Sequence, residues 1–169
     1  MTPLMSGAAA LTIGLADYAD LRDAADLLAL LDAYARDPMG GGAPLPDDVR
    51  ARLADDLAAN PQAFSLLARL EDRAVGLANC FMGYSTFAAA PIVNIHDFAV
   101  LPDHRGAGIG KALMAAIEAE ALKRGACKVT LEVLSGNEPA KALYVACGFG
   151  DYPLDPTAGH ALFWQKRLT

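Results

Sequence analysis

Apolar and polar residues recur along this chain with two periods, and the switches between them mark out its elements. Ala9 to Leu15 predicts a first strand. From Asp20 to Arg36 the apolar positions Leu21, Ala24, Leu28, Leu31 and Ala35 return at helical spacing, behind Asp20 as a cap. Asp47 to Ala59 repeats the pattern through Val49, Leu53 and Leu57, and Asn60-Pro61 ends it. The segment Pro38 to Pro44, with three glycines, is a turn between the two helices, short enough to lie within one domain. Ala63 to Leu70 and Val75 to Tyr84 flank Glu71-Asp72-Arg73 and predict two strands around a tight turn. Ile92 to Val100 is a further strand.

Gly108 to Arg124 predicts a helix with Ile109, Leu113, Ala116, Ile117 and Ala121 on one face and Gly125 as its stop. Lys128 to Leu134 predicts a strand, Pro139 to Cys147 a short helix closed by Gly148. Final strands are expected near Phe149 to Tyr152 and Ala161 to Leu168. The order describes an α/β fold with a mixed sheet. Its one parallel pair is expected where a helix intervenes, between the strands near 92–100 and 128–134.

Composition narrows the classes. A chain of 169 residues suits a single domain, since cores commonly span ~100–200 residues. At 54% hydrophobic and 20% charged it is globular, not disordered or fibrous. No apolar run reaches the ~20 residues that cross a bilayer, and Met1 to Leu15 lacks the basic region of a secretory signal. No membrane association is expected. Cys80, Cys127 and Cys147 match no metal-ligand spacing, so no metal is expected. They read as reduced, mostly buried thiols of a cytoplasmic protein. The net charge of −6 argues against nucleic-acid binding through a basic field. All of that excess lies early: residues 1–60 hold ten Asp against four Arg, and the rest of the chain balances.

Arg105-Gly106-Ala107-Gly108-Ile109-Gly110-Lys111 lies between a predicted strand and a predicted helix. Glycines let the main chain turn sharply and approach a ligand. The first N–H groups of the helix have no internal partner and sit at the positive end of its dipole. Such a strand–turn–helix is an anion site. The segment fails the dinucleotide pattern G-x-G-x-x-G, because Lys111 takes the last glycine's place. It also fails the P-loop pattern, because Ala112 follows Lys111. What remains is R-x-x-G-x-G, which alone is a weak signal.

A second motif follows the next strand. Asn137 suits a helix cap, Pro139 suits the first turn, and Tyr144 lies two turns on from Asn137. With Ala140, Gly148 and Phe149 these residues write N-x-x-A-x-x-x-Y-x-x-x-G-F. Together the two motifs resemble the GNAT superfamily of acyl-CoA N-acetyltransferases. Their joint occurrence by accident is on the order of 10⁻⁵ or less. The resemblance is sharp over 92–152. The run Asp97 to Gly106 and the Asn137-Glu138-Pro139 cap look closest to the diamine and polyamine acetyltransferase branch.

That resemblance implies a GNAT-like, mostly antiparallel sheet with a splayed parallel pair. The domain would comprise a first strand and acceptor-side helices over 1–62 and a CoA-binding core over 92–152. Acetyl-CoA is the implied co-substrate. Its pyrophosphate would sit on Arg105 to Lys111, its pantetheine along main-chain groups of Phe98, Ala99 and Val100, and other contacts on Asn137 and Ala140. A β-bulge would splay the pair. Tyr144 would protonate the leaving thiolate. Cys147, one turn from Tyr144, has no activating neighbour by sequence and is held as a packing residue.

The base is open between His96 and Asp97. Neighbours on a strand face opposite ways, so only one of the two is expected to reach the acceptor, and His96 reads equally as a structural residue. The acidic first third would steer a cationic amine toward the cleft, with Asp37 and Asp97 as contacts, although most of its Asp residues read as a solvated helix face. The implied partner is a small-molecule amine acceptor, with acetylation of protein Lys or N-terminal amines, or non-catalytic acyl-CoA binding, as the alternatives. A homodimer is an expectation from the resemblance alone.

Overall fold

In the computed structural model, residues 10–150, 155, 157, 159 and 161–168 are described. The period-two segments form one five-stranded sheet in the order β1 (Leu11–Leu15), β2 (Ala63–Leu70), β3 (Arg73–Ser85), β4 (Ala90–Val100) and β5 (Val129–Leu131). The first three junctions are antiparallel, and β4–β5 is parallel. The turn between β2 and β3 holds Glu71 and Asp72 at φ of 46° and 69°. Two successive positive φ values match the twist of the strands they join.

Two helices, α1 (Leu21–Arg36) and α2 (Asp47–Ala58), cover one face of the sheet. Leu27, Leu30 and Leu31 of α1 and Leu57 of α2 form a core with Leu67 of β2 and Leu77 of β3. The helix α3 (Ile109–Lys123) takes the other face. A Cβ on Gly76, next to Leu77 and so pointing the other way, would come within 3.0 Å of Leu113. Buried Ile109, Leu113, Met114, Ile117 and Ala121 form that helix's inner stripe, close to the predicted face.

Asp20 caps α1 as expected, accepting from the N–H groups of Arg22 and Asp23. The buried stripe of α1 is rotated from the predicted one. Leu27 and Leu30 are buried with Leu31, while Leu21 is 88% exposed. In a helix this rich in Leu and Ala two overlapping stripes are equally apolar. The ion pairs of Asp23 and Asp26 with Arg69 on β2 select the observed rotation.

Four further expectations are corrected. The strand predicted over 128–134 is ordered as β5 only from Val129 to Leu131, because its parallel ladder stops at Ile95, just before an irregularity in β4. Residues 161–168 form no strand. Leu162, Phe163, Trp164 and Leu168 are largely exposed, and no ladder partner takes them up among the described residues. The strand expected at 149–152 has no strand at Phe149 and Gly150, and its remainder lies outside the described residues. Of the cysteines only Cys80 is buried; Cys127 is exposed and Cys147 half-buried.

The contacts divide the chain into two units, one ending at Leu131 and the other beginning at Glu132. The second unit is built on α4 (Glu138–Ala146). Asn137 caps it, its Oδ1 accepting from the Ala140 N–H at 3.3 Å, and Pro139 occupies the first turn. Gly148, at φ 86°, turns the chain so that the Phe149 N–H reaches the Tyr144 carbonyl at 3.0 Å. The Tyr144 and Phe149 rings then pack 6.1 Å apart.

Candidate active site

The irregularity in β4 organises the site. Cys80 pairs with Ile95, yet Asn79 pairs with Asp97, so His96 is an extra residue in β4. A bulge of this kind re-aims side chains. The His96 ring meets the Phe81 ring edge-on at 5.7 Å, and Asp97 Oδ2 accepts from Asn79 Nδ2 at 3.0 Å. Phe81 and Asn79 are two apart on β3 and so share a face. His96 and Asp97 therefore approach the same face, the one covered by α1, and the expectation that they point oppositely fails because of the bulge.

The bulge also sets where β4 and β5 part. The parallel ladder runs through Val93–Val129, Asn94–Thr130 and Ile95–Leu131. Phe98, Ala99 and Val100 continue β4 beyond its end. The Val100 carbonyl accepts from Arg105 Nε at 2.9 Å, which folds the Arg105 side chain back onto the strand it follows.

After β4 a short turn of 3-10 helix, Pro102–His104, leads into the glycine segment. Gly106 and Gly108 hold φ of 79° and 83°. Both lie in the left-handed region, where a Cβ is costly, and the space around each is open. Gly108 caps α3 without a side-chain hydrogen bond. The first intrahelical bond is Ala112 N–H to the Gly108 carbonyl. The N–H groups of Ile109, Gly110 and Lys111 thus precede the helical ladder, and no acidic residue stands in that first turn. An exposed glycine turn, a helix N-terminus and Lys111 fit a pyrophosphate.

Asp37 lies at this turn. Its Oδ2 accepts from Arg105 Nη2 at 2.9 Å, and its Oδ1 from the Met39 N–H at 2.9 Å. The Met39 N–H, and then the Arg105 guanidinium, hold its carboxyl below the usual carboxylate range. Its carbonyl also accepts from Gly40, Gly41 and Gly42, so it anchors the whole loop between α1 and α2. Gly40 is required there, because a Cβ would lie 1.9 Å from the Tyr34 carbonyl oxygen.

Most other acids of the first third are also occupied structurally. Asp17 and Asp20 cap turns. Asp23 and Asp26 pair with Arg69, Asp32 with Arg36 and Arg50, and Asp56 with Arg52. Burial, with smaller effects from Asp97 and Asp37, pushes the Tyr34 phenol up. Cys80, buried under α3, is pushed up to about 12, chiefly by desolvation, and is an inert thiol.

Tyr144 is buried in the second unit, and Asn137 and Ala140 form the cap of its helix. Sequence reasoning missed Tyr18, Ser65, Asn79 and Tyr34. The available signal was a single polar residue inside each of two otherwise apolar strands, Ser65 in AFSLLARL and Asn79 in RAVGLANCFMGYS. Among the described residues no group of three or more His, Cys, Asp or Glu side chains could hold a metal ion. No helix among them is long and apolar enough to cross a membrane.

A strand that outruns its parallel partner, then a glycine turn into a helix N-terminus, is an arrangement suited to an anionic ligand. Residues 27–149 match the acetyltransferase (GNAT) family, and the chain belongs to that family. It is 35% identical over 77 residues to thialysine N-epsilon-acetyltransferase of Bos taurus, covering 46% of this chain and 45% of that protein. It is 43% identical over 63 residues to streptothricin acetyltransferase of Streptomyces lavendulae, covering 37% of this chain and 33% of that protein. The matches thus span less than half of either curated relative. Both relatives are in keeping with the diamine and polyamine branch of the family. Among solved structures, the aminoglycoside N-acetyltransferase AAC(6')-Iy in complex with CoA has a similar fold, with a TM-score of 0.76 at 18% identity over 97% of this chain and 99% of that one.

Proposed function

We propose that this protein transfers an acetyl group from acetyl-CoA to the primary amine of a small cationic molecule, by direct attack in a ternary complex. The observation that carries the donor side is the run from Phe98 to Lys111: a strand continuing past its parallel partner into a left-handed glycine cap at the open end of α3. The CoA complex of the structurally similar aminoglycoside acetyltransferase supports the same co-substrate here. The cationic acceptor is supported by the names of the two curated relatives and by the carboxylate of Asp97 beside the donor strand.

Acetyl-CoA supplies the activated acetyl carbon. Main-chain N–H groups of Ile109, Gly110 and Lys111, with the Lys111 and Arg105 cations, hold its pyrophosphate. Phe98, Ala99 and Val100 offer backbone groups to the pantetheine as a neighbouring strand would, and one of their amides polarises the thioester carbonyl. The arriving ammonium, with an unperturbed pKa near ~10.4, gives one proton to a base on β4. Its freed lone pair forms the C–N bond as the C–S pair leaves with sulfur. The second N–H proton is lost to solvent, and Tyr144 donates to the thiolate, the role its motif carries. Cys147 takes no part.

The test is a panel of amines with acetyl-CoA, read as free thiol and as N-acetyl product by mass. Polyamines, basic amino acids and aminoglycoside-like amines should react, with KM rising in salt as steering weakens. Preference for neutral or acidic amines would overturn the cationic acceptor. CoA binding with no transfer to any amine, peptides included, would make the protein a binding module.

A further inference from the structure

Four polar side chains cross the sheet face under α1 in one connected line. The Tyr18 hydroxyl lies 2.9 Å from Ser65 Oγ, Ser65 Oγ lies 2.6 Å from Asn79 Oδ1, and Asn79 Nδ2 lies 3.0 Å from Asp97 Oδ2. Ser65 and Asn79 are 1% and 3% exposed and are the buried polar residues among those described. They sit two positions before Leu67 and two after Leu77, in strands whose other residues on that face build the apolar core.

The direction of every bond in the line is fixed. Asn79 Oδ1 can only accept, so Ser65 gives it the one hydroxyl proton it has. Tyr18 must then donate to Ser65. The Asn79 amide donates its N–H to the Asp97 carboxylate, which can only accept when ionised. All three donors thus point toward Asp97, and aligned bonds of this kind strengthen one another. Burial, ahead of the opposing pull of the Ser65 bond, pushes the Tyr18 phenol up, which keeps its proton in place for donation. An amide does not pass protons readily, so the line orients and polarises; it does not conduct.

The register makes the line possible. Continued regularly from Cys80–Ile95, the ladder would set His96 opposite Asn79, and Asp97 would turn to the α3 face. The extra residue at the bulge brings Asp97 opposite Asn79 instead. His96, by contrast, is exposed and rests on Phe81.

We infer that Asn79, backed by Ser65 and Tyr18, is a positioning residue that aims the Asp97 carboxylate at the acceptor ammonium, so that Asp97, and not His96, takes the proton. This rests on the acetyltransferase reading above. The balance is simple: the ammonium N–H bond breaks, the proton passes to an Asp97 oxygen, and the electron pair stays on nitrogen for attack. The other titratable groups near Asp97 are the Tyr34 phenol from α1 and His96 beside it on β4, with the Cys80 thiol on the opposite, α3 face of β3. Neither the phenol nor the thiol carries charge near neutral pH, which leaves Asn79 as the polar group bonded to the carboxylate.

The test is a double-mutant cycle on the intact protein with a reactive amine. Asp97→Asn should lower kcat ~100-fold, the low end for general base catalysis. Asn79→Ala should lower it roughly tenfold, as loss of aim does, with KM for acetyl-CoA within about twofold. Tyr18→Phe should act in the same direction and less strongly, which keeps the proposal testable if Asn79→Ala folds poorly. In the Asp97→Asn background, Asn79→Ala and Tyr18→Phe should cost nothing further. Additive losses, or a ~100-fold loss of kcat with His96→Asn and not with Asp97→Asn, would overturn the inference while leaving the acetyltransferase reading intact. A wild-type protein that acetylates no amine would overturn both.

Discussion

The two faces of β4 are made from different materials. On the proposed donor side, the turn from Arg105 to Lys111 offers main chain: two glycines in left-handed geometry and the N–H groups that precede the helical ladder of α3. On the proposed acceptor side, the face under α1 offers side chains from three strands and a loop, joined only when β2, β3 and β4 fall into register. Backbone sites are written locally, because glycine spacing sets the dihedrals. Side-chain sites are written in the pairing, and pairing is not local. The bulge at His96 joins the two: it aims Asp97 at one face and ends the β4–β5 ladder that would otherwise run on alongside Phe98 to Val100.

This difference can be broken one side at a time. The largest effect should come from the acceptor face, where Asp97→Asn removes ~100-fold of turnover and leaves CoA affinity unchanged; calorimetry with CoA and steady-state rates separate the two. If CoA affinity fell as well, the faces would not be independent. Tyr144→Phe should come next, lowering kcat roughly tenfold with CoA affinity near normal. Unchanged turnover would remove Tyr144 from the mechanism.

The smallest effect concerns the ion pair that ties the turn to α1. Arg105 is more than half exposed in its bond to Asp37, so Asp37→Asn should cost ~1 kcal/mol or less of stability at neutral pH. The sign with pH is definite. The folded Asp37 carboxyl is held below its unfolded value by the Met39 N–H and Arg105. Its contribution is therefore complete above the unfolded value of ~3.9 and fades as pH falls through the lower folded value. Urea unfolding should show the wild type and Asp37→Asn converging below about pH 4. A gap that persisted into acid would show that the Asp37 charge is not the source of the stability.

What the sequence yielded follows the same division. The order of helices and strands as far as α4, the tight turn at Glu71-Asp72 and the glycine turn before α3 were all readable, because each depends on spacing or on residues with special dihedrals. The Asn137 cap and the Gly148 stop of α4 were readable for the same reason. The face of α1 was not, because its Leu-rich surface offers two stripes and Arg69, on a distant strand, decides between them. Nor was the shared face of His96 and Asp97, since simple alternation assigns them opposite sides and a bulge leaves no mark in composition. Asp37 was expected as an acceptor contact from its place at a loop edge. It proves to be held by Arg105, nearly seventy positions along the chain. The early acidic excess looked like a field for steering; most of its Asp residues are engaged in caps and in ion pairs to Arg69, Arg36, Arg50 and Arg52.

The central claim is that the glycine turn before α3 receives acetyl-CoA. Gly108 is its most demanding position, with φ of 83° and open space where a side chain would project. The most direct measurement is calorimetric titration of CoA into the wild type and Gly108→Val, with thermal unfolding followed alongside. A β-branched residue in left-handed geometry costs ~1–2 kcal/mol and sets methyl groups where the pyrophosphate must approach. The account predicts that CoA affinity falls by tenfold or more, about 1.4 kcal/mol or greater, while the protein remains folded at the temperature of the titration. Equal CoA affinity in the two folded proteins would contradict it.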